Sequence, residues 1–132
     1  MPTYAAPIAS VAVVILASYG LWQNRRIRSL WLAATGLVLN TLVMWLNKGQ
    51  MPISVTALEI AHLEGFLNFM QNSSDAVHTL IGPDTRLWFL GDVIPLPFAR
   101  KVISLGDAFI ILSLMLFFLE TTKQSLHEGE AK

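Results

Sequence analysis

The fold class this sequence predicts is an all-α integral membrane protein, and three apolar runs predict it. Ala5–Trp22, Leu30–Leu46 and Val102–Leu119 occupy 53 of the 132 residues. None holds Lys, Arg or Glu, and only the third holds an Asp. As helices rising ~1.5 Å per residue, each would reach about 25–27 Å, close to the ~30 Å hydrocarbon core of a bilayer. Over half of the residues, 54%, are hydrophobic, which suits a chain about half embedded in lipid. The length allows one domain, residues 1–132.

The first run is read as a retained span. A secretory signal opens on a basic segment, and Met1-Pro2-Thr3-Tyr4 has no Lys or Arg. The seven residues Gln23-Asn24-Arg25-Arg26-Ile27-Arg28-Ser29 are too few for anything but an antiparallel helical hairpin. Trp22 and Trp31 flank this turn as interfacial anchors. The second span carries Gly36 and Asn40 and ends at Trp45. An Asn inside a span is costly in lipid, so Asn40 is expected to face another helix and hydrogen-bond across it.

Between the second and third spans lies a cap, Asn47–Lys101. Met51-Pro52-Ile53-Ser54 reads as a lead-in to a helix, with Ser54 as N-cap. Val55–Gln71 reads as one amphipathic helix lying in the interface, because Glu59, His62 and Glu64 are too many charges for a span. Asp75–Ile81 reads as a short helix stopped by Gly82-Pro83. Val93-Ile94-Pro95-Leu96-Pro97-Phe98 has two prolines in three residues and is read as an irregular loop. Such a loop must pack on protein or lie at the interface, because bare backbone in lipid is unpaired. Ser104-Leu105-Gly106-Asp107 has capping-box spacing, with Asp in place of Glu or Gln, so the third span is expected to start at Leu105. From Glu120 to Lys132 the tail reads as polar and loose.

The positive-inside rule sets the expected orientation. Arg25, Arg26, Arg28, Lys123 and Lys132 fall on one side, against Lys48, Arg100 and Lys101 on the other. That places the chain in the inner (cytoplasmic) membrane with its N-terminus outside, the cap outside and the C-terminus in the cytoplasm.

Net charge is zero, from nine basic and nine acidic residues, which gives no footprint for nucleic acid. The absence of cysteine removes disulfides, thiolate metal sites and cysteine nucleophiles. There is no G-x-S-x-G, H-E-x-x-H or phosphate-cradling glycine loop. No catalytic residue is assigned, and no cofactor is named by the sequence.

Several polar residues remain as candidates. Arg86, Asp92, Ser104 and Asp107 are read as a structural network pinning the proline loop to the start of span three, because a desolvated Arg seeks carboxylates. Asp75 and His78, three residues apart, share a helix face, where the plain reading is a local hydrogen bond and the sharper one a metal or cofactor ligand. His62 is read either as a hydrogen-bonded side chain or as an axial ligand to a haem or chlorin. No two histidines show compact metal-ligand spacing, so no metal site is assigned.

The residues also carry a resemblance. Gly36 and Asn40, then Asn47-Lys48-Gly49-Gln50-Met51-Pro52-Ile53-Ser54 with Ala57-Leu58, form a first motif. His78 follows, then Asp84-Thr85-Arg86-Leu87, then Leu90-Gly91-Asp92-Val93-Ile94-Pro95-Leu96-Pro97, then Ser104-Leu105-Gly106-Asp107. In this order, over about residues 36–119, the chain resembles domain-of-unknown-function family 5317, a family of small uncharacterised prokaryotic membrane proteins. The resemblance implies a helical membrane protein with a compact outside cap, and it implies no activity. Its members often carry more hydrophobic sequence at the N-terminus.

The function expected from these readings is that of a non-enzymatic accessory subunit packed against a larger membrane complex, respiratory or photosynthetic in kind, with membrane lipid as its other partner. The alternative is a membrane enzyme or carrier that acts on a lipid or quinone headgroup at the outer surface through Arg86, Asp92 and Asp107.

Overall fold

The computed structural model describes residues 15–73 and 75–130. The all-α expectation is overturned: the chain is mixed α/β, with a four-stranded sheet in the cap. The order is α1 (residues 15–23), α2 (Arg28–Leu46), β1 (Met51–Ile53), α3 (Val55–Ile60), α4 (Glu64–Asn72), β2 (His78–Leu80), a 3-10 turn at Trp88–Leu90, β3 (Asp92–Leu96), a second 3-10 turn at Pro97–Ala99, β4 (Lys101–Ser104) and α5 (Leu105–Glu130).

The three-span expectation changes with it. Among the described residues, two helices are long and apolar enough to cross a membrane, Arg28–Leu46 and the Leu105–Lys123 part of α5. Of the run Ala5–Trp22, residues 15–22 are helical; the rest of that run, and the side on which the N-terminus lies, fall outside the described residues. The tail is not loose from Glu120, since α5 runs on to Glu130.

α2 and α5 pack on each other through glycine. A Cβ on Gly36 would strike the Gly106 carbonyl oxygen, and one on Gly106 would strike the Asn40 side chain. Two backbones meet here, which only residues without a side chain permit. Away from this seam the helices are apolar and uncovered: Leu37, Val38, Trp45, Leu114, Met115 and Phe118 are all exposed.

Within the cap several expected elements change. Met51-Pro52-Ile53 is a strand, not a helix lead-in, and lies between β2 and β3 in the order β2-β1-β3-β4. Proline is unusual in an inner strand because it lacks the ladder donor. The register explains it: Met51 N donates to Val77 O at 2.7 Å and Ile53 O accepts from Ile81 N at 3.0 Å, so residues 51 and 53 face β2. Pro52 therefore turns to β3, where β1 pairs only through Ile53 with Asp92. Gly91 belongs to this approach, since a Cβ there would strike the Pro52 carbonyl oxygen.

The expected single helix Val55–Gln71 is two helices. Ser54 does cap α3, its hydroxyl accepting from Ala57 N at 3.3 Å. His62 N then donates to Glu59 O at 3.0 Å and Leu63 N to Leu58 O at 2.9 Å, with His62 at φ 57. These are the two bonds of a Schellman stop, here with a histidine in the left-handed position where glycine is usual. The segment read as a helix over Asp75–Ile81 contains β2, parallel to β1. The proline stretch is not an irregular loop. It forms β3 and a 3-10 turn, after which β4 returns antiparallel with a bulge between Asp92 and Ile94.

Two small cores hold the cap. Val43, Met51 and Leu90 join it to α2, with Leu39, Met44 and Leu87 around them. Ile53, Leu58 and Leu67 form the second, walled by Phe66, Met70, Leu80 and Val102.

Candidate functional site

The polar residues separate into two linked groups. The first is a closed ring where α2 meets the start of α5. Asp107 N donates to Ser104 Oγ at 3.0 Å, and Ser104 N donates to Asp107 Oδ2 at 3.2 Å. Ser104 Oγ in turn donates to Asn40 Oδ1 at 2.7 Å, and Asn40 Nδ2 donates to Asp107 Oδ1 at 2.7 Å. The capping box is thus tied to the neighbouring helix through Asn40. Ser104 is fully buried, and each heteroatom of the ring has a partner, the condition under which a buried polar cluster is tolerated.

The second group lies on the sheet. His78 opens β2 and Asp92 opens β3; β1 runs between them, and their side chains meet across it. His78 Nδ1 lies 2.6 Å from Asp75 Oδ2, and the Asp75 carboxylate also accepts the His78 amide at 3.2 Å. His78 Nε2 faces Asp92 Oδ2 at 3.8 Å. The imidazole edge rests against the Phe66 ring, 5.8 Å between centroids, which fixes its plane. Asp92 is the odd member: it is buried, and its Oδ1 has no hydrogen-bond partner among the described residues. Burial, helped by the nearby Asp107 charge and opposed by His78, pushes its carboxyl up to about 6. The Asp75 carboxyl is lowered instead, first by the hydrogen bond from His78.

Register links the groups, because Asp92 pairs with Ser104 across β3 and β4. Polar groups therefore run from Asp75 at the surface, through His78 and Asp92, to Asp107 and Asn40 between the helices. Asp75 and His78 open on a cleft of about 500 Å³, also lined by Gln50, Asn72, Ser73 and Thr79. Chemically, a histidine oriented by one carboxylate and facing a second can pass a proton between cleft and interior.

Arg86 does not stand where the sequence reading put it. No carboxylate lies within 4.0 Å of it among the described residues. Its backbone is clasped by Asn47, which accepts from Arg86 N at 3.0 Å and donates to Arg86 O at 2.8 Å. His78 takes the place expected of the arginine beside Asp92. His62 is exposed at the α3 stop, with Glu64 4.0 Å away. It does not join Asp75 and His78, and no group of three His, Asp or Glu side chains placed to hold a metal occurs among the described residues. Asn47 is marked in the sequence as the end of the second span and the start of the first motif; its clasp on Arg86, thirty-nine residues on, is not. Gln50 stands in the first motif with no role assigned; its Nε2 donates to Asp75 O at 2.7 Å, a long-range bond that nothing local marks.

The described residues thus form a pair of long apolar helices with a small α/β cap that buries a carboxylate. The chain belongs to the family of unknown function DUF5317, which matches residues 1–119. The match reaches beyond the motifs at 36–119 to take in the N-terminal run. The chain is 32% identical over 115 residues to an uncharacterised protein of Thermotoga maritima. That alignment covers 85% of this chain and 62% of the relative, so the chain spans about three fifths of the length of the relative it matches. No solved structure matches.

Proposed function

We propose that this chain is a non-enzymatic accessory subunit of the inner membrane. Its α2 and α5 cross the bilayer as an antiparallel pair, and it packs laterally on a larger membrane complex. One observation carries the reading: the two helices cover each other along the Gly36–Gly106 seam and leave the rest of their apolar girth open. A 19-residue helix such as α2 spans about 28 Å, which fits the hydrocarbon layer. The arginine turn at 25–28 and the end of α5 then lie in the cytoplasm, and the cap lies outside.

Detergent extraction followed by affinity purification of the full chain tests this. A stoichiometric larger membrane protein in the eluate is the expected result. A chain that elutes alone, carrying bound lipid or quinone, overturns it in favour of an outer-surface enzyme or carrier. That second reading draws support from Asp75 and His78 beside their cleft, with Asp92 behind them, and Arg86 has no part in it.

A further inference from the structure

At the end of the helix pair opposite the cap, Arg26, Ile27 and Arg28 of the α1–α2 turn face Glu120, Thr121 and Lys123 of α5 across a crevice of about 350 Å³. Three cations line it with one carboxylate. Glu120 is engaged elsewhere, its Oε2 accepting from Ser29 Oγ at 2.9 Å. No carboxylate oxygen lies within 4.0 Å of Arg26, Arg28 or Lys123 among the described residues. The crevice also sits at a defined depth. Leu119 closes the apolar stretch of α5 and Leu30 opens that of α2, so the crevice lies one turn beyond the hydrocarbon. Trp22 and Trp31, both exposed, mark the same level. The turn is stiffened there: Trp31 Nε1 donates to Arg25 O at 3.2 Å, and the Arg25 guanidinium stacks 5.0 Å over the Trp22 ring. Arg25 is thereby occupied, while Arg26 and Arg28 line the crevice.

We infer that this crevice binds the phosphate of an anionic phospholipid headgroup, held by Arg26, Arg28 and Lys123. Guanidinium groups match phosphate oxygens in a bidentate way, and a basic pocket between helix ends at the cytoplasmic face is where anionic headgroups bind. Glu120 lowers the charge of the pocket and so opposes binding. The inference rests on the membrane reading above.

The test uses the full chain in two bilayers. Reconstitution into pure phosphatidylcholine vesicles reports insertion alone; extraction of the chain by alkaline carbonate from these vesicles overturns the membrane reading, and the headgroup site with it. In mixed phosphatidylcholine and phosphatidylglycerol, the lipids retained after mild detergent release are counted by native mass spectrometry. Enrichment of phosphatidylglycerol is expected. Arg26→Gln, Arg28→Gln and Lys123→Gln should each lower it about fivefold, the effect of about one basic residue at a charged surface. Glu120→Gln should raise it, and Lys48→Gln, at the other end of α2, should leave it unchanged. An inserted chain that retains the two lipids in their bulk ratio, or keeps its enrichment in the triple variant, overturns the proposal. Inorganic phosphate that displaces the retained lipid without bilayer present would show a plain phosphate site and overturn the lipid assignment.

Discussion

Two residues carry conformations or charge states that work against stability. His62 stands at φ 57, where a Cβ is crowded, and its side chain is exposed. Glycine there keeps both bonds of the helix stop and loses the crowding, so His62→Gly should raise stability by about 1 kcal/mol, read as a higher thermal midpoint in detergent. Asp92 works through its proton. Its carboxyl titrates near 3.8 in the unfolded chain and is pushed up to about 6 in the fold. Between those values the folded state binds more protons, so stability is greatest at the acid end and falls as pH rises towards about 6. Thermal midpoints taken across this window should show that fall, and Asp92→Asn should flatten it. A midpoint that climbs with pH over the same window would show that Asp92 is ionised and well partnered. The sequence pairs Asp75 with His78 through their spacing of three, and the hydrogen bond is there, although on the lead-in to a strand and not on a helix. It does not pair His78 with Asp92, because they lie on β2 and β3 with β1 between, and nothing local encodes that meeting.

At the scale of elements, the α2–α5 seam brings two backbones into contact. A methyl group at Gly36 meets backbone as well as the Ile110 and Phe109 side chains, so the helices must part. Gly36→Ala should cost about 1–3 kcal/mol, as overpacking does, seen as lower yield and an earlier thermal transition. Asn40→Ala removes two partners at once. Asp107 Oδ1 loses its donor and the Ser104 hydroxyl its acceptor, which should cost about 1–3 kcal/mol. Both long helices were legible in the sequence because an apolar run is a statement about solvent, and the start of α5 was legible because its cap is local. The strands were not. β1 and β2 have three residues each, too short to display alternation, and two strands contain proline. They exist because neighbouring backbone satisfies them, which no window of sequence records. Val55–Gln71 failed differently: its apolar spacing is helical throughout, and only the left-handed His62 breaks it.

For the whole molecule, the arrangement proposed above puts the start of α2 and the end of α5 on one side and the cap on the other. The chain has no cysteine, so single introduced thiols report on sidedness without background. Ser73→Cys, on the exposed end of α4, should react with an impermeant maleimide in intact cells, and Asn24→Cys only after permeabilisation. The opposite pattern would reverse the orientation, and labelling of both in intact cells would sink the arrangement.

The Asp92–Ser104 pairing, with Ser104 bound in turn to Asn40, has a consequence for the order of assembly. The cap borrows its last strand from the residues that lead directly into α5, and its first core from α2. During synthesis β1, β2 and β3 can pair on the finished α2, but β3 has no β4 beside it until the residues leading into α5 have been made. The β3–β4 edge of the cap is therefore the last part to set, a keystone laid after both pillars stand. A chain cut short before Ser104 should leave the segment open to protease, whereas a chain ending after Leu119 should protect it.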